Sequence, residues 1–167
     1  KNMCFWYISI MTRLRILSDD DFNKLYRIPK LLEKDRNYVF ELDEYDNNHL
    51  NTLNSIESKI SYILQLGYFR VSQYFFTFTF NEVQDDVQFI LNTYFPQHTS
   101  LLSKVSNRTR YSNRNSIFNK YKINAYSNQF EIKLLKHLKI LIKQSALPKY
   151  LFDSIINYCH QHQVLRP

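Results

Sequence analysis

The chain has 167 residues, of which 44% are hydrophobic and 16% aromatic, so it can bury a core in one domain or two small subdomains and is not disordered as a whole. One glycine and four prolines are too few turn-forming residues for a many-stranded sandwich or barrel. The composition therefore predicts an all-α fold of about seven or eight helices. Two cysteines, Cys4 and Cys159, exclude a disulfide framework.

The formal net charge of +7 is concentrated in the C-terminal part of the chain. Residues 1–100 carry 10 lysines and arginines against 13 carboxylates, a net of −3, whereas residues 101–167 carry 12 against 2, a net of +10. Such an excess in a stretch with apolar periodicity indicates a folded surface that faces a polyanion, although a merely soluble basic protein is the plainer alternative. We predict a non-native or disordered leader at 1–12, a helical scaffold subdomain at 13–100 and a basic helical DNA-binding subdomain at 101–167.

The first elements in chain order are short helices. The apolar opening, residues 1–10, is too short to span a bilayer and has no secretory cleavage site. Ser18 is predicted to cap a helix that holds three aspartates, residues 19–21, in its first turn, where negative charge meets the positive end of the helix dipole. Adjacent helical positions diverge by about 100°, so these aspartates cannot all bind one metal ion. Short amphipathic helices follow near 32–41 and 43–53.

The next segment, "SIESKISYILQLGYF" at 55–69, is apolar nearly all round and is predicted to be the central helix. Gly67 either permits close contact with a neighbouring helix or ends this one. The alternation in "YFFTFTF", residues 74–80, predicts a hairpin arm or an extended linker. A further helix is expected from Asn81, as its cap, to just before Pro96, with Asp85 and Asp86 on the solvent side.

The stretch "SNRTRYSNRNSIFNKY", residues 106–121, contains three arginines and one lysine without a carboxylate. If 109–121 is one helix, its polar stripe is Thr109, Asn113, Ser116 and Lys120, and its apolar arc is Tyr111, Ile117, Phe118 and Tyr121. Asparagine can form two hydrogen bonds with adenine and lysine can bind phosphate, so we predict that the polar stripe reads a major groove. Arg114 projects into the apolar arc, where it either reaches a phosphate or packs as a structural arginine. Lys104, Arg108 and Arg110 are predicted to flank the phosphate backbone.

Two more helices are expected at about 127–145 and 149–162. The first is basic and amphipathic, with Lys136, Lys139 and Lys143 opposite Leu134, Leu135, Leu138, Leu141 and Ile142. Basic amphipathic helices also bind membranes and partner proteins, but the apolar face is expected to serve the domain's own core, so nucleic acid is preferred. The predicted DNA-binding residues are Lys104, Arg108, Thr109, Arg110, Asn113, Arg114, Ser116, Lys120, Lys122, Lys136, Lys139 and Lys143.

The sequence predicts no catalytic residue, metal site or cofactor. Cys159, His160 and His162 lie close together but lack a second ligand pair at metal spacing. A nuclease would need converging carboxylates, which the sequence does not offer. A protein-interaction module and an RNA-binding module remain as alternatives to DNA binding.

The order and spacing of "SKISYILQLGYFRVSQYFF", "VQDDVQFILNTYF", the basic stretch and "ALPKYLFDSIINYCHQHQVLRP" resemble the N-terminal domain of Tn-three family replicative transposases. The resemblance runs from about Arg13 to Pro167 and is most specific at 63–70. It implies a helical domain that binds the terminal inverted repeats of a mobile element. Strand cleavage would then belong to the catalytic remainder of a longer transposase, whose acidic triad has no counterpart here, so the chain alone is expected not to be an enzyme.

Carried over residue by residue, the resemblance assigns Arg108, Thr109, Arg110 and Arg114 to the family's basic segment and Tyr62 to Arg70 to its scaffold helix. The partner it implies is double-stranded DNA, with no membrane, and the expected location is cytoplasmic, in association with the nucleoid.

Overall fold

The computed structural model describes residues 16–124 and 126–166, and the predicted leader at 1–12, with Cys4, lies outside the described residues. Within the described ranges the chain forms helices and no β-strand, which confirms the predicted all-α fold. The α-helices are α1 Asp19–Tyr26, α2 Glu33–Val39, α3 Glu44–Thr52, α4 Ile56–Ser72, α5 Gln84–Tyr94, α6 Asn107–Tyr121, α7 Asn128–Gln144 and α8 Pro148–Gln161, and a 3-10 helix spans Phe80–Val83.

Side-chain caps set most of the helix starts. Ser18 accepts a hydrogen bond from the backbone N–H of Asp21 at 3.1 Å, as predicted for α1. The predicted cap at Asn81 is wrong. The Glu82 carboxylate accepts from the backbone N–H of Thr79 at 2.6 Å and so starts a 3-10 turn at Phe80, and α5 then follows from Val83 without a side-chain cap.

Helix α4 is the centre of the main hydrophobic cluster. Its residues 60–69 are all buried, because α2, α5 and α6 pack around it. Gly67 allows the closest approach: a Cβ atom there would lie 2.5 Å from two ring carbons of the fully buried Phe40. The helix continues past Gly67 to Ser72, so the glycine marks a close contact rather than a helix end.

The segment at 74–79 is extended but pairs with no strand in the described ranges. From Phe76 to Thr79 buried and exposed residues alternate, but the adjacent Phe75 and Phe76 are both buried, so the segment is covered on both sides where it begins. Side chains of α6 replace a partner strand: Arg110 donates to the Phe78 carbonyl at 2.8 Å. An extended linker was therefore the correct alternative.

The prediction that Asp86 faces solvent is wrong, although Asp85 is exposed. Asp86 is buried between α2 and α4, where it accepts hydrogen bonds from Tyr68 Oη at 2.6 Å and from Arg36 Nε at 2.7 Å. Burial, and then the bond to Asp86, raise the pKa of Tyr68, which keeps it a donor. The wheel alone could not show this, because the partners come from two other helices.

A second, smaller hydrophobic cluster joins α7 and α8. Its buried residues are Phe130, Leu134, Cys159 and Val164, and α8 begins at Pro148 rather than just after it. Helix α6 belongs to the main cluster through Ile117. Leu165, from the C-terminal end, also packs against the main cluster. The subdomain boundary at residue 100 stays a prediction.

Candidate nucleic-acid interface

Helix α6 begins two residues before the predicted start, at a serine cap. Ser106 accepts from the backbone N–H of Thr109 at 3.1 Å, and the hydroxyls of these two residues are 2.9 Å apart. Thr109 is therefore engaged in the cap of its own helix. The same cap sets the phase with which the following residues meet α4.

The predicted polar stripe of α6 faces the interior, so its assignment as the outward face is wrong. Asn113 is fully buried and donates from Nδ2 to the Ser58 carbonyl of α4 at 3.2 Å. Ser116 is also buried, and its carbonyl accepts from Tyr45 Oη at 3.1 Å. Polar side chains sit here because backbone and side-chain groups at the α4–α6 contact need hydrogen-bond partners when they lose water.

Lys120, the last member of that stripe, is part of an internal ion cluster. Its Nζ lies 2.6 Å from carboxylate oxygens of both Asp43 and Asp46. Asp46 is fully buried and also accepts from Tyr62 Oη at 2.8 Å and Arg70 Nη2 at 3.3 Å. Because its charge is held by Asp46, Lys120 is not a free phosphate ligand in this structure.

Arg110 and Arg114 pack against the extended segment. Arg110 lies over the Phe78 ring, with its guanidinium carbon 5.8 Å from the ring centre, and Arg114 lies over Phe75 at 5.3 Å. Arg114 also donates to the Phe76 carbonyl at 3.5 Å. Burial, and then the nearby charge of Arg110, lower the pKa of Arg114. Of its two predicted roles, the structure shows that of the packed arginine.

The solvent-facing side of α6 consists of polar residues that the sequence analysis did not group on one face of the helix. We define the outer face of α6 by Arg108, Ser112, Asn115 and Asn119, and Lys122 follows the helix as its C-cap residue in a left-handed conformation. Asn115 is partly exposed, and the other three and Lys122 are exposed. Tyr111, predicted in the apolar arc, is 68% exposed beside this face. The polar spacing i, i+4, i+7, i+11 in a stretch without carboxylates was the available signal in the sequence.

The predicted lysines of α7 do lie at the surface. Lys136, Lys139 and Lys143 are exposed, and Lys133, which was not singled out from the sequence, is exposed as well. The apolar side of the helix is less buried than expected, because Leu135 and Ile142 remain about half exposed. Only α8 packs closely on α7, so one helix covers only part of its apolar side.

A comparison with protein families finds one match that covers most of the chain. Residues 16–167 match the family described as "Domain of unknown function (DUF4158)". The chain belongs to this family. A search of curated proteins and a search of solved structures each found no significant match.

The cations of this DUF4158 chain fall into two classes. Arg36, Arg70, Lys120 and Lys149 are ion-paired with aspartates. Another set is exposed and has no ion-pair partner among the described residues: Lys104, Arg108, Lys122, Lys133, Lys136, Lys139 and Lys143. Lys24, Arg27, Lys30 and Lys34 of the N-terminal part are also exposed and have no ion pair with another described residue. That part of the chain is rich in carboxylates, however, whereas residues 101–167 contain only two.

Residues 16–124 and 126–166 of the DUF4158 chain contain no group of three or more histidine, cysteine or carboxylate side chains that could hold a metal ion. Cys159 is buried in the α7–α8 cluster, apart from the exposed His160 and His162. The described helices also include none that is long and apolar enough to cross a membrane.

Proposed function

We propose that this chain binds double-stranded DNA, as the N-terminal part of a transposase that recognises the terminal inverted repeats of its element. The observation that carries the proposal is the excess of exposed positive charge in residues 101–167. Seven cations between Lys104 and Lys143 are exposed and have no ion pair with another described residue, in a part of the chain that has only two carboxylates. The resemblance to Tn-three family transposases supports the finer statement about inverted repeats. That the chain alone does not cut DNA stays a prediction.

The unpaired state of these cations is what makes them suited to DNA. A lysine already held by a carboxylate must give up that partner before it binds a phosphate, as Lys120 would have to leave Asp46. An exposed cation without a partner has no such cost, and it releases condensed counterions from the DNA when it binds. We therefore expect about four to eight phosphate contacts, with a slope of log affinity against log salt near −0.9 for each.

The test is a salt titration of binding to a random duplex. A triple variant with Lys136, Lys139 and Lys143 changed to glutamine should bind more weakly and lower the magnitude of the slope by about two to three, as expected if each lysine contacts one phosphate. The matched control changes three exposed lysines of the N-terminal part, Lys24, Lys30 and Lys34, to glutamine. An affinity that does not respond to salt, or equal losses in both triple variants, would refute the proposal.

A protein-interaction module is the second candidate, and one observation favours it. Ile132, Leu135, Ile140 and Ile142 of α7 are each half or more exposed between the lysines. Apolar side chains grouped on a charged helix are common where another protein docks. Changing Ile132 and Ile140 to serine should leave DNA binding unchanged in the proposed function and abolish complex formation in this alternative.

A further inference from the structure

We infer that the outer face of α6 reads adenine-containing base pairs in the major groove of duplex DNA, and this inference rests on the proposed DNA binding. Its central residues are Ser112, Asn115 and Asn119, with Arg108 before them and Lys122 just after the helix. The inner amide, Asn113, was the residue expected to read bases, and it instead bonds to Ser58 inside the protein.

The four helical positions form a narrow strip along α6. At about 100° per residue, the steps 108, 112, 115 and 119 keep all four side chains within about 60° of arc. With a rise of about 1.5 Å per residue, Arg108 and Asn119 are separated by about 17 Å along the axis. The major groove of B-DNA is about 12 Å wide and admits an α-helix, so one narrow side of a helix can face the base edges. The strip is such a side.

The chemistry of the strip changes from its ends to its centre. Cations flank the centre, with Arg108 at the start and the C-cap residue Lys122 just after the helix, and they suit phosphates on the groove walls. Between them are neutral hydrogen-bonding groups, which suit base edges. An asparagine amide can both donate to N7 and accept from N6 of adenine. Asn115 and Asn119 are about 6 Å apart along the axis, which is close to two base-pair steps.

The side chains of the strip are free to bind. Within the described ranges, the side chains of Arg108, Ser112, Asn115 and Asn119 make no hydrogen bond or ion pair with another part of the chain. Neutral amides that have no structural partner can bond to a ligand without breaking an internal contact. Tyr111, 68% exposed beside the strip, adds a hydroxyl and an apolar ring that can contact the groove wall.

Duplex DNA fits this strip better than duplex RNA. The major groove of A-form RNA is deep and narrow, so side chains on a helix cannot reach its base edges. Single-stranded RNA is recognised mainly by stacking on aromatic rings, whereas the strip centre contains amides and a hydroxyl. The RNA alternatives are therefore outcomes of the test.

The experiment begins with selection of duplexes from a random pool by the unchanged chain. Asn115→Ala and Asn119→Ala are then titrated against the selected duplex and a random duplex. We expect each to lose about 5-fold to 150-fold in affinity for the selected duplex and to keep its affinity for the random one. Asn37→Ala, an exposed asparagine on α2, is the matched control and should change neither affinity. Melting curves show whether each variant is folded.

A modified duplex identifies the base atom. Replacing each selected adenine by 7-deazaadenine removes the N7 acceptor and keeps the N6 donor. At the correct position it should weaken binding of the unchanged chain, by no more than the asparagine variant does, and should cause no further loss in that variant. Salt-dependent binding without any preferred sequence would overturn this inference and leave the proposed function standing. Absence of DNA binding at low salt, or tighter binding to RNA, would overturn both.

Discussion

Helices α4 and α7 are both 17 residues long and have nearly the same apolar content, nine residues in α4 and eight in α7. Ten consecutive residues of α4 are buried, whereas only Phe130 and Leu134 are buried in α7. The difference comes from their neighbours, since three helices surround α4 and only α8 packs closely on α7. Apolar content therefore shows that a helix can be buried, and the number of packing partners decides whether it is.

The same difference separates the charges of the two regions. Around α4, aspartates such as Asp46 and Asp86 are buried, and each is neutralised by a cation from another helix. Around α7, Lys133, Lys136 and Lys139 extend into solvent without a carboxylate partner in the described part of the chain. Buried side chains are thus concentrated in the first region and exposed positive charge in the second.

The largest expected difference between α4 and α7 is in the cost of shortening one isoleucine side chain to alanine in each helix. Ile63→Ala in α4 removes a fully buried side chain and should cost about 2–4 kcal/mol of unfolding free energy. Ile140→Ala in α7 removes one that is 60% exposed and should change it by less than about 0.5 kcal/mol. Denaturant midpoints of both variants measure the difference. Equal midpoints would show that α7 is covered in solution as α4 is.

A smaller difference is expected between a lysine that is ion-paired with an aspartate and one that is not. Lys120→Gln leaves buried Asp46 with Arg70 as its remaining cation and should cost about 1–3 kcal/mol, less than full loss of a buried pair because Arg70 remains. Lys136→Gln should leave stability unchanged and weaken binding to random and preferred duplexes alike, because a phosphate contact carries no base information. Thermal melting and DNA titration of both variants give the comparison. Loss of stability in Lys136→Gln would contradict it.

The sequence predicted the helices well because local signals define them. Ser18 indicated the start of α1, and the apolar run at 55–69 indicated α4. Of the two alternatives for Gly67, close contact with a neighbour and the end of the helix, the first is confirmed. These signals act within a few residues and need no knowledge of the rest of the fold. The all-α class follows from them.

The candidate site was predicted less well, because orientation depends on distant partners. Asn113 and Lys120 are polar, and a helical wheel places polar residues outward by default. Their partners are Ser58 and Asp46, which are 55 and 74 residues away in the chain. A stretch in which nearly every position is polar has weak amphipathicity, so the wheel could not tell the inner stripe from the outer face.

The smallest expected effect is a dependence of stability on pH that arises beside the α4–α6 contact. His49 packs against the Tyr62 ring, with ring centres 4.5 Å apart. Burial lowers the pKa of His49 below its ordinary value of 6.5, while the neighbouring Asn113 amide and the charge of Asp46 work in the opposite direction. The folded chain then binds fewer protons at this site than the unfolded chain, so its stability should fall as the pH drops through 6.5.

A second group in the same region, Asp43, titrates in a separate pH range. Partial burial raises the pKa of Asp43, but hydrogen bonds from Lys120 and from the backbone N–H of Asp46 outweigh it and lower that pKa to about 2. That contribution to stability is present above the ordinary value of 3.8 and is lost only as the pH falls toward about 2. Melting temperatures between pH 7.5 and pH 5 therefore report His49 without interference from Asp43. We expect His49→Gln to flatten the decline in this range and Asp43→Asn to leave its slope unchanged. An equally steep decline in His49→Gln would place the titrating group elsewhere, and the α4–α6 contact would then contribute nothing to the acid sensitivity of the fold.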